Sequence, residues 1–202
     1  MHLRILLVGA SGTIGQLVAS RLLARNHEVI TAGRSTGDIH VDLTSKESIA
    51  YLFKKAGAID AIISTAGAAE FASVSSLTPE INQTAVLSKL LGQINLALIG
   101  QHYLYANGSI TLITGIMKDD PIPGGASAAM ANGGVAAFVK SAAIDLQNGQ
   151  RINCLNPNVL EESMEDYGES FIGFTPVAGK KVANAFLKSV EGKQTGQEYK
   201  IY

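Results

Sequence analysis

Three glycines at intervals of three, Gly9, Gly12 and Gly15, separate an apolar run, Leu3–Val8, from a longer amphipathic pattern, Thr13–Arg25. No other feature of the chain limits its fold as sharply. A strand that passes through a glycine loop straight into a helix aims the loop amides and the helix N-terminus at one spot, which suits an anion. One glycine allows the tight turn, another lets the backbone come close to a diphosphate, and the third lets helix meet sheet. The spacing is GxxGxxG, one residue off the GxGxxG dinucleotide fingerprint. We therefore expect Gly9, Ser11, Gly12, Thr13, Ile14 and Gly15 to cradle a dinucleotide diphosphate. A glycine loop on its own is also an ordinary turn.

The rest of the chain alternates in the same way. Glu28–Ala32, Ile39–Val41, Ala61–Ser64, Ser109–Thr114 and Ile152–Leu155 read as short buried strands, and Gln197–Tyr202 as a closing one. Their near-continuous apolarity suits strands covered on both faces. Lys46–Ala56, Glu80–Tyr105 and Gly124–Leu146 are long enough for helices. Thr78-Pro79-Glu80 supplies a cap, a first-turn proline and an acid, and Thr175-Pro176 is expected to open a last helix that Gly192 ends. The expectation is an α/β fold, a Rossmann-like doubly wound three-layer sandwich around a parallel sheet of about seven strands. Residues 1–202 then form a single NAD(P)-binding domain. Asp119–Gly125 and Pro157–Thr175 are irregular enough to be lids, although the second suits a plain connection equally well.

Composition narrows the function. Sixteen basic against 17 acidic residues give a net charge of −1, which leaves no basic field for nucleic acid or anionic lipid. Cys154 is the one cysteine, so no internal disulfide can form, and a cytoplasmic setting is expected. No apolar run reaches the roughly 18 residues of a membrane span. Met1–Val8 imitates a weak export signal, but cleavage after Ala10 would split the glycine loop, so a first strand is the better reading. The four histidines, His2, His27, His40 and His102, have no metal-ligand spacing, and no metal is expected.

The end of the second strand selects the dinucleotide. A free ribose 2′-OH calls for a carboxylate there, a 2′-phosphate for arginine. The sequence offers Arg34 and Ser35, whereas Asp38 follows Gly37 in what looks like a turn. NADP(H) is expected over NAD(H), unless Arg34 is merely a solvated surface residue.

Further motifs fall in a familiar order. Val41-Asp42-Leu43, Ser64-Thr65-Ala66-Gly67, Gly108-Ser109-Ile110 and Arg151-Ile152-Asn153-Cys154-Leu155-Asn156-Pro157-Asn158 follow the glycine loop. The chain resembles the short-chain dehydrogenase/reductase family over nearly its whole length, as a short member. The resemblance implies that Asp42 and Leu43 meet the adenine, and that Ser64, Thr65, Ala66, Gly67 and Pro157 line the cofactor. It also implies a catalytic Asn, Ser, Tyr and Lys, and here the chain departs. The Ser position falls on Gly115, after Thr114; the Tyr and Lys positions fall on Ala128 and Asn132; the Asn position falls on Lys89, or in a looser register on Asn95. The Tyr-x-x-x-Lys pair is therefore missing, and no other tyrosine is expected nearby, since Tyr103 and Tyr105 belong at the far end of their helix.

Lys89 and Asn132 look like an exchange of the family's Asn and Lys. A buried Lys89 of lowered pKa would serve as proton donor; a surface Lys89 would do nothing. Thr114 and Ser127 are candidates to orient a carbonyl, or simply strand-end and capping residues. Glu70 reads as an exposed loop acid. The expected activity is NADP(H)-dependent oxidoreduction of a small carbonyl or hydroxyl compound with a non-standard proton donor. The alternative is a non-catalytic NADP(H) sensor or regulatory module. The helices Glu80–Tyr105 and Gly124–Leu146 are apolar beyond one face, and in the family such helices pair across a two-fold axis. A homodimer or homotetramer is expected, unless they only cover the sheet.

Overall fold

A computed structural model describes residues 2–202; Met1, where the signal-like run begins, lies outside the described residues. Seven parallel strands form one sheet in the order β3-β2-β1-β4-β5-β6-β7. They are β1 (Arg4–Val8), β2 (Glu28–Gly33), β3 (Ile39–His40), β4 (Ile59–Ser64), β5 (Leu104–Ile113), β6 (Arg151–Pro157) and β7 (Glu198–Ile201). The order reverses between β1 and β4, so a crevice opens at their C-terminal ends, where open α/β sheets bind ligands.

Alternation along β1 shows why both faces are apolar. Ile5 and Leu7 pack on α1 (Thr13–Leu23) and α7 (Gly179–Glu191), with Val18, Leu22, Val182 and Phe186. Leu6 and Val8 face the other way, into a core with Phe53 of α2 (Lys46–Ala56), Leu96 of α4 (Gln93–Gly100) and Val135 of α5 (Ala126–Asp145). Successive strand residues point to opposite faces, so a sheet covered twice needs apolar residues at every position. A third, small cluster of Ile116, Ile122, Val159 and Phe171 holds the Pro157–Thr175 region down, with the short helix α6 (Met164–Tyr167) inside it. Among the described residues no helix is long and apolar enough to cross a membrane.

Helix starts follow the local chemistry. Ser45 caps α2 by accepting from the Ser48 N–H, and Thr78 caps α3 (Pro79–Thr84) by accepting from the Ile81 N–H. Three expectations need correction. The last helix begins at Gly179, not at Pro176, because Val177 bridges Leu160 and the Glu162 carboxylate takes the Gly179 N–H. The helix expected over Glu80–Tyr105 ends at Gly100, and β5 starts at Leu104, well before Ser109. Asn107 and Gly108 precede the strand start expected at Ser109. They are absorbed inside β5, where Asn107 takes φ +65° and the pairing with β4 shifts register. Finally, the helix is not α-helical throughout: its backbone over Ala85–Gly92 is π-helical.

Candidate functional site

The glycine loop joins β1 to α1 as its spacing requires. Gly9 stands at φ +89°, and a side chain there would collide with Ala66 and Thr65. Gly15 lets α1 sit on the loop, since a Cβ would come within 2.1 Å of the Gly9 carbonyl oxygen. Gly12 differs: at φ −75° its Cβ would meet only the Gly9 oxygen, at 3.7 Å, and otherwise project into open space. Two loop amides are used internally, Gly9 N–H to Ala32 O and Gly12 N–H to Gly9 O. Among the described residues, the N–H groups of Ser11, Thr13 and Ile14 have no protein acceptor. In contrast to α2 and α3, helix α1 has neither a side-chain cap nor an acidic residue in its first turn. Free amides, an open helix N-terminus and space at Gly12 fit a diphosphate.

Two cavities flank the loop. The first, about 550 Å³, runs over the ends of β1 and β2 and is lined by Gly9, Ser11, Arg34, Ser35, Asp42, Leu43, Ala66 and Gly67, among others. Arg34 and Ser35 are exposed at its rim, and the Arg34 guanidinium has no hydrogen-bond partner among the described residues. Asp38 is engaged: its Oδ2 accepts from both the backbone N–H and the hydroxyl of Thr31, each at 2.8 Å. Those bonds hold its carboxyl below the usual range. Asp42 gives Oδ1 to the Thr44 N–H and hydroxyl, which with the Arg34 charge lowers its pKa.

The second cavity, about 340 Å³, lies over the C-terminal ends of β4, β5 and β6. Gly12, Thr13, Ile14, Thr65 and Pro157 meet it from the loop side, and Lys89, Thr114 and Gly115 from the floor. Phe71, Ile116, Met117, Val159, Leu160 and Phe171 make the remaining wall largely apolar. Lys89 is the one charged residue on it. The residue is only partly exposed, and burial of its ammonium lowers its pKa to about 8. Gly67, at φ +139°, makes room for it: a Cβ there would lie 3.0 Å from the Lys89 Cα.

Other candidate residues stand behind this surface. Ser64 is fully buried and only braces Ala66, while Thr65 Oγ1 donates to the carbonyls of Val8 and Gly9. Thr114 lines the cavity, but its hydroxyl donates to Leu155 O at 2.9 Å, leaving only lone pairs for a ligand. Asn132 is buried under Gly115: Nδ2 donates to Gly115 O at 3.3 Å, and Oδ1 has no partner. Ser127 donates to Asn82 Oδ1, away from the cavity, and Glu70 is exposed. One expectation fails outright. Tyr167 of α6 does line the cavity, carried there by a lid that sequence spacing could not fold back.

Fold and site define an α/β protein with a cavity beside a glycine loop suited to a dinucleotide. The model of a family described as enoyl-(acyl carrier protein) reductase matches residues 9–194, and the chain belongs to the short-chain dehydrogenase/reductase family. Its members are oxidoreductases that use NAD(P)(H). The structure of protein lin1944 from Listeria innocua is 54% identical, covers 98% of this chain and 99% of that one, and superposes with a TM-score of 0.97. A small-chain dehydrogenase is 25% identical over 100% of this chain and 96% of that one, at TM-score 0.85. Another, determined in complex with NADPH, shares the fold at 24% identity, 100% and 97% coverage and TM-score 0.89. No curated protein matches the chain.

Proposed function

We propose that the protein is an NADP(H)-dependent reductase of small, uncharged carbonyl compounds in which Lys89 supplies the proton. The observation that carries the cofactor choice lies at the end of β2: the nearby carboxylate, Asp38, is bound to Thr31, while Arg34 is free at the cleft rim. A 2′-phosphate calls for that arrangement, and a free 2′-OH for its reverse. The bound cofactor supplies the hydride. The loop amides hold the diphosphate, and Asp42 faces the adenine through the carboxylate oxygen that Thr44 leaves free. Lys89, protonated below about pH 8, hydrogen-bonds the substrate oxygen, steadies the negative charge that develops there and transfers a proton to it. Phe71, Met117, Leu160 and Phe171 shelter the substrate from water. The largely apolar wall disfavours charged substrates. Two copies pair through the outward apolar residues of α4 and α5, such as Leu98 and Ile144.

Calorimetry with NADPH, NADP⁺, NADH and NAD⁺ on wild type and Arg34→Ala tests the reading. A charge-assisted hydrogen bond contributes about 1.5–3 kcal/mol, so the variant should bind NADP(H) roughly 10–150-fold more weakly and NAD(H) nearly as before. Equal affinity of the wild type for both dinucleotides would refute it. A non-catalytic NADP(H) sensor is the second reading, favoured by the missing hydroxyls at Gly115 and Ala128 and the engaged one at Thr114. A strong preference for one redox form without turnover of any carbonyl would select it.

A further inference from the structure

We infer that Gln93 is a positioning residue for Lys89: its buried amide locks the π-helical segment to the end of β5 and thereby keeps the Lys89 ammonium facing the reaction cavity. The inference deepens the reading above and rests on its assignment of Lys89 to that cavity.

Gln93 is completely buried between helix and sheet. Its Nε2 donates to Lys89 O at 2.9 Å and to Ile113 O at 2.8 Å, and its Oε1 accepts the Ile113 N–H at 2.8 Å. Burying an amide without partners is costly, and here both N–H groups and the oxygen are matched. The partners explain the placement. β4 stops pairing with β5 at Ile63↔Thr111, whereas β6 continues to Ile113↔Leu155. On the β4 side, Ile113 would be left with an unpaired N–H and C=O, and the Gln93 side chain completes the ladder as a missing peptide would. Thr114 and Gly115, the next two residues, form the cavity floor.

The other end of the same amide holds Lys89. The helix is π-helical over Ala85–Gly92, with Lys89 inside it. A π turn takes up an extra residue, so reverting to α geometry would swing the residues past it by about 100°. Such a swing would carry the Lys89 side chain off the cavity wall. Close contacts seat the segment as it is: Gly67 against the Lys89 Cα, Gly134 under Leu90, and the Ala68 N–H on Ser88 Oγ at 3.0 Å. Of the groups facing Lys89, Tyr167 is the other titratable side chain on the cavity wall, and Glu70 on the adjoining loop is exposed.

The titration of Lys89 can be read without turnover. Reductive ¹³C-methylation labels the lysines, and Lys89→Arg identifies the Lys89 resonance. In wild type it should titrate at about 8. In Gln93→Met, which preserves volume without adding charge, the midpoint should rise by about one pH unit or more as the ammonium turns to solvent, and carbonyl reduction should fall at least about tenfold. Gln93→Leu repeats the test if the first variant is poorly folded by circular dichroism. A folded variant whose Lys89 still titrates at about 8 overturns the inference. So does failure of both variants to fold, because Gln93 would then serve stability alone. If the midpoint moves while Lys89→Met leaves turnover unchanged, Lys89 is not the proton donor but Gln93 still positions it.

Discussion

Gly12 and Gly15 lie three residues apart in one loop, and the structure assigns them opposite sensitivities. Consider alanine at each. At Gly12 the backbone angles, φ −75° and ψ 167°, suit any residue, and the new Cβ would meet only the Gly9 oxygen, at 3.7 Å. Restricting the unfolded chain stabilises by about 0.4–1 kcal/mol, whereas alanine is a poorer N-cap than glycine by a comparable amount. The two nearly cancel, so the melting temperature of the free protein should stay within about 3 °C. Binding should not. The added methyl enters the space left for the diphosphate, where overpacking costs about 1–3 kcal/mol and a displaced charge-assisted hydrogen bond about 1.5–3 more. NADPH affinity should therefore drop at least about 70-fold. At Gly15 the Cβ would lie 2.1 Å from the Gly9 oxygen and 2.8 Å from the Ala10 Cα, so the backbone itself must move. That cost of about 1–3 kcal/mol lowers melting by roughly 2–12 °C before any ligand is added. Differential scanning calorimetry and NADPH titration on both variants give the comparison. A Gly12→Ala protein that binds NADPH like wild type would show that the diphosphate does not sit in this loop.

Other expectations follow from the same geometry. Reduction by the wild type should be independent of pH below about 8 and fall roughly tenfold per unit above it, as Lys89 loses its proton, with the oxidative direction doing the reverse; Lys89→Met should lower kcat by about 10²–10⁴-fold, and a flat profile through pH 9 would exclude it. Burial pushes the Asp119 carboxyl up, but hydrogen bonds from Lys118, Tyr202 and Asn156 outweigh that and hold it well below the carboxylate range. Its stabilisation is thus present above the ordinary carboxylate pKa of about 4 and lost only as pH falls below it, and at pH 7 Asp119→Asn should lower melting by about 2–4 °C, discounted for its partial exposure. Sedimentation at micromolar concentration should show a dimer or larger species, and Leu98→Glu with Ile144→Glu, at side chains 47% and 85% exposed, should give monomer; a monomeric wild type ends that expectation.

Local chemistry was the legible part of the chain. Strand β1, helix α2 and the loop between Gly9 and Gly15 follow from hydropathy and glycine spacing, and each lies where expected. Arg34 and Asp38 were separable as well, because Gly37-Asp38 is turn chemistry within a few residues. What escaped depends on contacts distant in the chain. Thr175-Pro176 carries a sound helix-start signal, yet the pairing of Val177 with Leu160 delays α7 to Gly179. Tyr167 reaches the cavity only because the whole lid folds over it. A π turn changes the phase of hydrogen bonds without changing composition, so Ala85–Gly92 reads as ordinary helix. The hint was Gln93, which with Asn95 interrupts the otherwise apolar stretch Leu90–Ile99.

The Leu160–Val177 bridge also determines how the chamber can open. With its two ends fastened together, and Glu162 gripping the start of α7, the segment between them is a flap on a fixed frame. Any swing of that flap would open the chamber without β6 or the final helix having to yield.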